Sequence, residues 1–261
     1  MILGFLGTGN MGGTLAAAAA KGQGVQLLLA NRHPEKAEAL AARIGGQVVT
    51  NEELFRRADY VFLGVKPGMV ASVLAQAVPV LRQRQEKPVL VSMAAGISLE
   101  QLQTYSENLC PLIRIMPSMP AAVGEGVTLY ACSDAVSEKA KNGFLKAMEH
   151  SGRLVPLEEP LFSAGMAVSG CGSAYAALFL EGLADGGVAC GLSRKLAYEM
   201  AAQMLLGSAR WLLEMGELPA NLKDKVCSPG GTTIQGVRAL EERGFRSAAM
   251  EAVIAACEAD A

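Results

Sequence analysis

The sequence predicts an α/β domain followed by an all-helical domain. Three observations predict it. Apolar, strand-like runs alternate with helix-period segments as far as Glu159, after which no strand signal remains. The first strand runs directly into a glycine-rich turn and a helix. At 261 residues the chain has room for two domains of ordinary size. Alternating strands and helices imply a mainly parallel sheet with helices on both faces.

The elements follow in order. "MILGFLG" reads as a buried strand, and Asn10 to Lys21 as an alanine-rich helix. "VQLLLANR" is a second strand, and Pro34 to Ile44 a helix with proline at its start, where no N–H is needed. "DYVFLGVKP" is a strand stopped by Pro67, and "KPVLVSMAAG" is another. "SLEQ" has capping-box spacing from Ser98 to Gln101. "LIRIMP", "GVTLYAC" and "RLVPLEE" supply the last strands, with a charged helix ahead of His150. From Leu161 to Gly191 the chain is apolar on nearly every side, broken by Glu181 and Asp185. A helix apolar all round must be buried all round, and in so small a domain a dimer buries it most easily. Helical segments follow at Arg194 to Glu214, Leu218 to Val226, Ile234 to Arg243 and Phe245 to Glu258. The boundary is placed near Glu159, giving domains 1–159 and 160–261.

Composition narrows the function. The formal charge of −2, with no basic block, argues against non-specific nucleic-acid binding. Hydrophobic residues make up 51 %, rich in Ala and Gly, which suits close helix packing and a subunit interface. Six dispersed cysteines and two histidines, with no C-x-x-C pair, argue against a zinc site. A chain this long does not need a disulfide scaffold, so reduced thiols and a cytoplasmic location are expected. No charged leader precedes the first strand, and no apolar run reads as long enough to span a bilayer, so no membrane association is expected.

"GTGNMG" fits G-x-G-x-x-G at Gly7, Gly9 and Gly12, between a strand and a helix as a Rossmann-like dinucleotide site requires. Gly7 makes the turn, Gly9 admits the pyrophosphate and Gly12 lets helix and strand pack closely. The helix N-terminus offers N–H groups and a positive dipole end. A NAD-preferring site ends its second strand in Asp or Glu, to bind the ribose hydroxyls. Here the strand ends in Asn31, Arg32 and His33, so NADPH is the expected cofactor, with NADH left open.

Ketone reduction needs an acid to protonate the developing alkoxide. The helical part has no histidine; its candidates are Lys195, Lys223, Lys225, Tyr175 and Tyr198. The lysines sit in polar stretches and the tyrosines in apolar helices. A protonated imine accepts hydride to give a neutral amine without such an acid, so the composition favours C=N reduction. "CSPGGTTIQG", from Cys227, has two readings. Glycine after a helix and threonine as N-cap make an ordinary connection. Alternatively, Gly230 and Gly231 ahead of a helix N-terminus form an anion nest, flanked by the hydroxyls of Ser228, Thr232 and Thr233.

Over essentially its whole length the chain resembles the pyrroline-5-carboxylate reductases. "GFLGTGNMG", "GVKP" (Gly64 to Pro67), "MAAGIS" (Met93 to Ser98) and "RIMPSMPA" (Arg114 to Ala121) follow in that family's order. "SGCGSAYAALFLEGLADGGVACGLSR" resembles the start of its helical domain. "LKDKVCSPGGTTIQGVRALEERGFRSA" resembles its C-terminal motif, the most specific match. The resemblance implies a Rossmann-like NADP-binding domain and a helical dimerisation and substrate-binding domain, in a homodimer that many members build into rings of dimers. It implies NADPH-dependent reduction of 1-pyrroline-5-carboxylate to L-proline, the last step of proline biosynthesis.

By motif match, Gly7, Gly9, Asn10, Met11 and Gly12 hold the pyrophosphate. Asn31 and Arg32 meet the adenosine ribose and its phosphate, with Asn51 near the adenosine half. Val65, Lys66, Pro67, Ala94 and Ala95 line the nicotinamide end. Ser228, Gly230, Gly231, Thr232 and Thr233 hold substrate, with Thr233 nearest the imine nitrogen as the catalytic candidate. Three positions depart from the family pattern. Cys171 and Ser173 replace Ser and Pro in S-G-S-G-P-A-Y, and Ser118 stands where Asn is usual. The alternatives are a reductase of another small imine, a β-hydroxyacid dehydrogenase, and a nucleotide sensor without catalysis. The second needs a lysine on the interdomain helix, and Leu161 to Gly191 has none.

Overall fold

The computed structural model describes residues 1–260. The chain divides into two compact units, Met1–Gly170 (joined by Asp260) and Cys171–Ala259.

The first unit carries β1 (Ile2–Leu6), α1 (Asn10–Ala19), β2 (Gln26–Ala30), α2 (Pro34–Ile44), β3 (Gln47–Val48), α3 (Asn51–Arg57) and β4 (Tyr60–Leu63). It continues with α4 (Val70–Gln83), β5 (Val89–Ser92), α5 (Leu99–Tyr105), β6 (Leu112–Pro117), β7 (Gly126–Cys132), α6 (Glu138–Met148), β8 (Gly152–Pro156) and α7 (Phe162–Ser169). The strands form one sheet in the order β3-β2-β1-β4-β5-β6-β7-β8. Every neighbouring pair is parallel except β6 and β7. Their connection holds only a short 3₁₀ turn, Met119–Val123, closed by Gly124. It is too short for the crossover that a parallel pair needs.

Alternation along the strands builds two cores, because successive side chains point to opposite faces. Leu3, Phe5, Leu29, Phe62 and Val91 face one side, under α1, α2 and α6. Phe5 stacks on Phe62 with ring centroids 4.5 Å apart. Leu6, Leu28, Val61, Leu63 and Leu90 face the other, under α3, α4 and α5. Three elements lie beyond the sequence-predicted ones. The strand β3 has two residues, too few for periodicity to register. Helix α3 is capped by Thr50, whose hydroxyl accepts from the Glu53 N–H at 3.2 Å. Helix α4 buries Val70, Val73, Leu74, Ala77 and Leu81, a helical stripe that continues past Pro79.

The second unit carries α8 (Gly172–Ala189), α9 (Arg194–Met215), α10 (Pro219–Val226), α11 (Thr232–Glu242) and α12 (Phe245–Asp260). Its buried apolar residues, among those described, are Ala184, Ala197 and Ala201. Leu178 is 72 % exposed and Leu213 69 %, and Met200, Trp211 and Met250 are exposed as well. The expectation that no run is long enough to span a bilayer is corrected. The stretch Glu159–Ala189, 31 residues, is long and apolar enough to cross one, and 11 % of its apolar window is buried. Glu181 and Asp185 did not lower its hydropathy enough to remove it from that class, because Ala, Leu, Phe and Val surround them.

Candidate functional site: a dinucleotide cradle and an uncapped glycine–threonine loop

The first cluster lies at the carboxyl ends of β1, β2, β4 and β5, where strand order reverses around β1. Open α/β sheets bind ligands at such a switch point. Gly7 has φ +96, a left-handed conformation that favours glycine. A Cβ on Gly12 would stand 2.1 Å from the carbonyl oxygen of Gly7, and one on Gly64 2.6 Å from the same atom. Backbone thus packs on backbone between the first turn and the start of "GVKP". Gly9 differs: a Cβ there meets no heavy atom within 4 Å.

Gly9 is also the N-cap of α1, with no side-chain cap and no acid in the first turn. The N–H groups of Asn10, Met11 and Gly12 therefore start a helix whose positive end is bare. Thr8 is buried, and its Oγ1 has no partner among the described residues. An open glycine, a bare helix start and an orphaned hydroxyl fit a pyrophosphate.

A cleft of about 570 Å³ beside this turn is lined by Thr8, Gly9, Asn10, Thr14, Lys36 and Arg43. Lys36 and Arg43, on α2, were not among the sequence-predicted residues. Both lie on α2 seven residues apart, two helical turns and so one face, a spacing that could have pointed to them. Arg32 is exposed, outside that cleft, and makes no ion pair among the described residues. A second cleft, about 450 Å³, brings Asn31 and Asn51 together with Pro34, Val48, Val49 and Thr50. The Asn31 side-chain amide donates to the His33 carbonyl at 3.2 Å.

Val65, Lys66 and Pro67 follow β4 into an exposed turn, and Ala94 and Ala95 follow β5. These strands pair directly, with Leu63 opposite Ser92. Ala94 is buried and its N–H donates to the Ser92 hydroxyl at 3.3 Å; Ala95 is exposed. The next helix carries the capping box expected at Ser98 and Gln101. Ser118 is buried. Its hydroxyl accepts from the Val127 N–H at 2.8 Å, so it fastens the turn after β6 onto β7.

The second cluster is the loop Cys227–Gly231 of the helical unit. Gly230 has φ +69, and the Gly231 N–H donates to the Ser228 carbonyl at 3.1 Å. A Cβ on Gly231 would stand 2.4 Å from the Ser228 hydroxyl, so that hydroxyl lies over the glycine. Helix α11 begins at Thr232, two residues before the predicted start, with Gly231 as an N-cap that offers no side-chain bond. Neither threonine caps the helix, which removes the ordinary-connection reading in its threonine-capped form. What remains is a helix start with free N–H groups, no acid in its first turn, and Ser228, Thr232 and Thr233 exposed around it.

Four of the five acid candidates are engaged with neighbours. Lys223 hydrogen-bonds Asp224, which raises its pKa above the usual lysine range. Lys225 pairs with Glu217. Burial first, then Cys171, raises the Tyr175 phenol, which donates to the Ala252 carbonyl at 3.0 Å. Tyr198 lies under the Arg194 guanidinium, 5.7 Å from its ring centroid.

Comparison with known proteins fixes the family. The chain is 38 % identical over 255 residues to the pyrroline-5-carboxylate reductase of Escherichia coli (strain K12), covering 96 % of this chain and 94 % of that protein. The chain belongs to the pyrroline-5-carboxylate reductase family. Residues 159–261 match the family model described as pyrroline-5-carboxylate reductase dimerisation. Residues 2–96 match one described as NADP oxidoreductase, coenzyme F420-dependent. The Plasmodium falciparum pyrroline carboxylate reductase, solved with NADP bound, superposes with a TM-score of 0.86 at 31 % identity, covering 100 % of this chain and 97 % of that one. The Coxiella burnetii pyrroline-5-carboxylate reductase gives a TM-score of 0.90 at 27 % identity, covering 99 % and 96 %.

Proposed function

We propose that the chain reduces 1-pyrroline-5-carboxylate to L-proline with NADPH, working as a homodimer. Membership of the reductase family across 96 % of the chain carries the reading. Bound at the Gly9 turn, NADPH supplies the hydride that the imine carbon accepts. The C=N electron pair moves onto nitrogen, which with its proton becomes the ring amine of proline.

The chain's own residues bind and align. The bare start of α1 takes the pyrophosphate through Asn10, Met11 and Gly12. Arg32, with Asn31 at the end of the same strand, reads the 2′-phosphate, and Asn51 meets the adenosine half. Val65, Lys66, Pro67, Ala94 and Ala95 border the nicotinamide. At the other cluster, the N–H groups beyond Gly230 and Gly231 take the substrate carboxylate. Ser228 and Thr232 flank it, and the Thr233 hydroxyl bonds the imine nitrogen. Orientation supplies most of the rate, since no strong acid is required.

A second copy covers the apolar helices of the second unit, and light scattering tells a free dimer from a ring of dimers by mass. Six free cysteines support a reducing compartment, the cytoplasm. Following nicotinamide absorbance with NADPH and the imine tests the reading. Stoichiometric loss of NADPH with appearance of proline is expected. NADPH binding without turnover would favour the nucleotide sensor.

A further inference from the structure

Glu159 stands where the sheet ends and the dimerisation match begins. Its Oε1 accepts two hydrogen bonds. The Leu99 N–H donates to it at 2.7 Å, and Arg114 Nη1 donates to it at 2.7 Å. The Arg114 side chain is only 11 % exposed and the Glu159 side chain 26 %. The Arg114 guanidinium also lies 4.8 Å from the ring centroid of Phe162, a buried residue that opens α7. One carboxylate oxygen thus joins three parts of the first unit: the start of α5, strand β6, and the segment that leads into the second unit.

The start of α5 is the far end of the loop Met93–Ser98. The near end is fixed by the sheet, through the Met93 N–H to the Leu63 carbonyl at 3.3 Å and the Ala94 N–H to Ser92. The far end already has the Ser98–Gln101 capping box, and Leu99 adds a bond that no local side chain supplies. A carboxylate at a helix N-terminus also meets the positive end of the helix. In strand register Arg114 is opposite Ser92, so its main chain braces the near end while its side chain braces Glu159 at the far end.

We infer that Glu159, held by Arg114, is a positioning residue: it sets the Ala94–Ser98 loop at the height from which the nicotinamide is presented. This rests on the reading of Ala94 and Ala95 as nicotinamide neighbours. Glu159 touches neither cofactor nor substrate in this account; it acts through the Leu99 amide.

The test uses the full-length protein. Glu159→Gln removes the charge and weakens both bonds, and Glu159→Asp keeps the charge with a shorter reach. Leu99→Pro deletes the N–H together with the leucine packing: proline is accepted at a first helical position, and Ser98 before it is already extended at φ −76, ψ 163. Leu99→Ala loses the same packing but keeps the N–H. Turnover with NADPH carrying deuterium at the transferred position reads the hydride step, and the emission of bound NADPH reads the nicotinamide's surroundings.

A loop set to the wrong height should cut turnover about tenfold in Glu159→Gln, since small misplacements remote from the reacting atoms carry such penalties. The isotope effect should rise and the Michaelis constant for the imine should hold. Leu99→Pro should share the loss, Leu99→Ala should not, and Glu159→Asp should recover part of it. A lower melting temperature with unchanged turnover per folded site, isotope effect and bound-NADPH emission would overturn the inference. If Glu159→Gln does not fold, the two Leu99 variants decide. A wild-type protein that binds NADPH but reduces no imine would defeat the proposed function instead, and the emission comparison would still decide on Glu159. If NADPH does not bind at all, both readings fall.

Discussion

The two units satisfy burial in opposite ways. The first fills both faces of its sheet, so Phe5, Phe62 and Val91 on one side and Leu63, Leu74 and Leu81 on the other are out of water in a single chain. The second buries Ala184, Ala197 and Ala201 and leaves Leu178, Leu213 and Met250 in solvent. The sheet side is a finished fold, while the helical side is a surface awaiting a matching one. Exposed apolar patches of this extent mark an interface. The loop chemistry divides the same way. The Gly9 turn is flanked by buried Gly7, Thr8 and Gly12, whereas the Ser228–Thr233 loop is exposed except at half-buried Gly231.

The difference can be broken from the apolar side first. Leu178→Asp touches little within its own protomer, so it should leave the first unit folded and weaken the dimer. An unpaired carboxylate in an apolar interface should cost about 3 kcal/mol or more, roughly a hundredfold in dimer dissociation constant. Sedimentation velocity reads this. Phe179→Asp is less clean, because Phe179 packs on Phe245 inside the chain at 5.4 Å between ring centroids.

A second change works on the finished side. Gly12→Ala puts a methyl against the Gly7 carbonyl and must move the turn, an overpacking worth about 1–3 kcal/mol. NADPH affinity should fall by an order of magnitude or so, while the sedimentation coefficient stays that of the native assembly.

The loop comes third. Thr233→Val keeps the shape and removes the hydroxyl, which has no capping duty to lose. Turnover should fall by about ten- to a hundredfold at 1.4 kcal/mol per factor of ten, with NADPH affinity nearly constant. Full turnover in Thr233→Val would reduce the loop to a connector.

Arg32→Ala has the narrowest expected effect, confined to one of the two cofactors. It should cost about 1.5–3 kcal/mol of NADPH recognition and almost none of NADH recognition, since only NADPH carries the 2′-phosphate. Lys36 and Arg43 sharpen this test. If Lys36 takes part of the phosphate's charge, Arg32→Ala falls at the low end and the double variant restores the full loss.

Much of this was legible in the sequence because the first unit obeys local rules. Strand β6, strand β7 and helix α2 lie where apolar runs and Pro34 put them, and the Ser98–Gln101 box formed as spaced. Thr50 to Glu53 and the Val70 to Leu81 stripe carried equal local signals, although α3 and α4 were not among the predicted elements. Other features were not local. Lys36 and Arg43 line the cleft at the Gly9 turn only because α2 packs beside α1, and Glu159 meets Leu99 across 60 residues of chain. Nor could composition tell a membrane-length run from an interface. Leu161 to Gly191 is apolar for either purpose, and only its place in a dimerisation module separates them.

The most direct measurement of the central claim, that the helical unit is completed by a second copy, is sedimentation velocity on the wild-type protein with turnover assayed across the same dilution series. Dimers or larger closed assemblies are expected throughout the micromolar range, with NADPH-dependent turnover that disappears as they dissociate. A folded monomer that reduces the imine at full rate would contradict it.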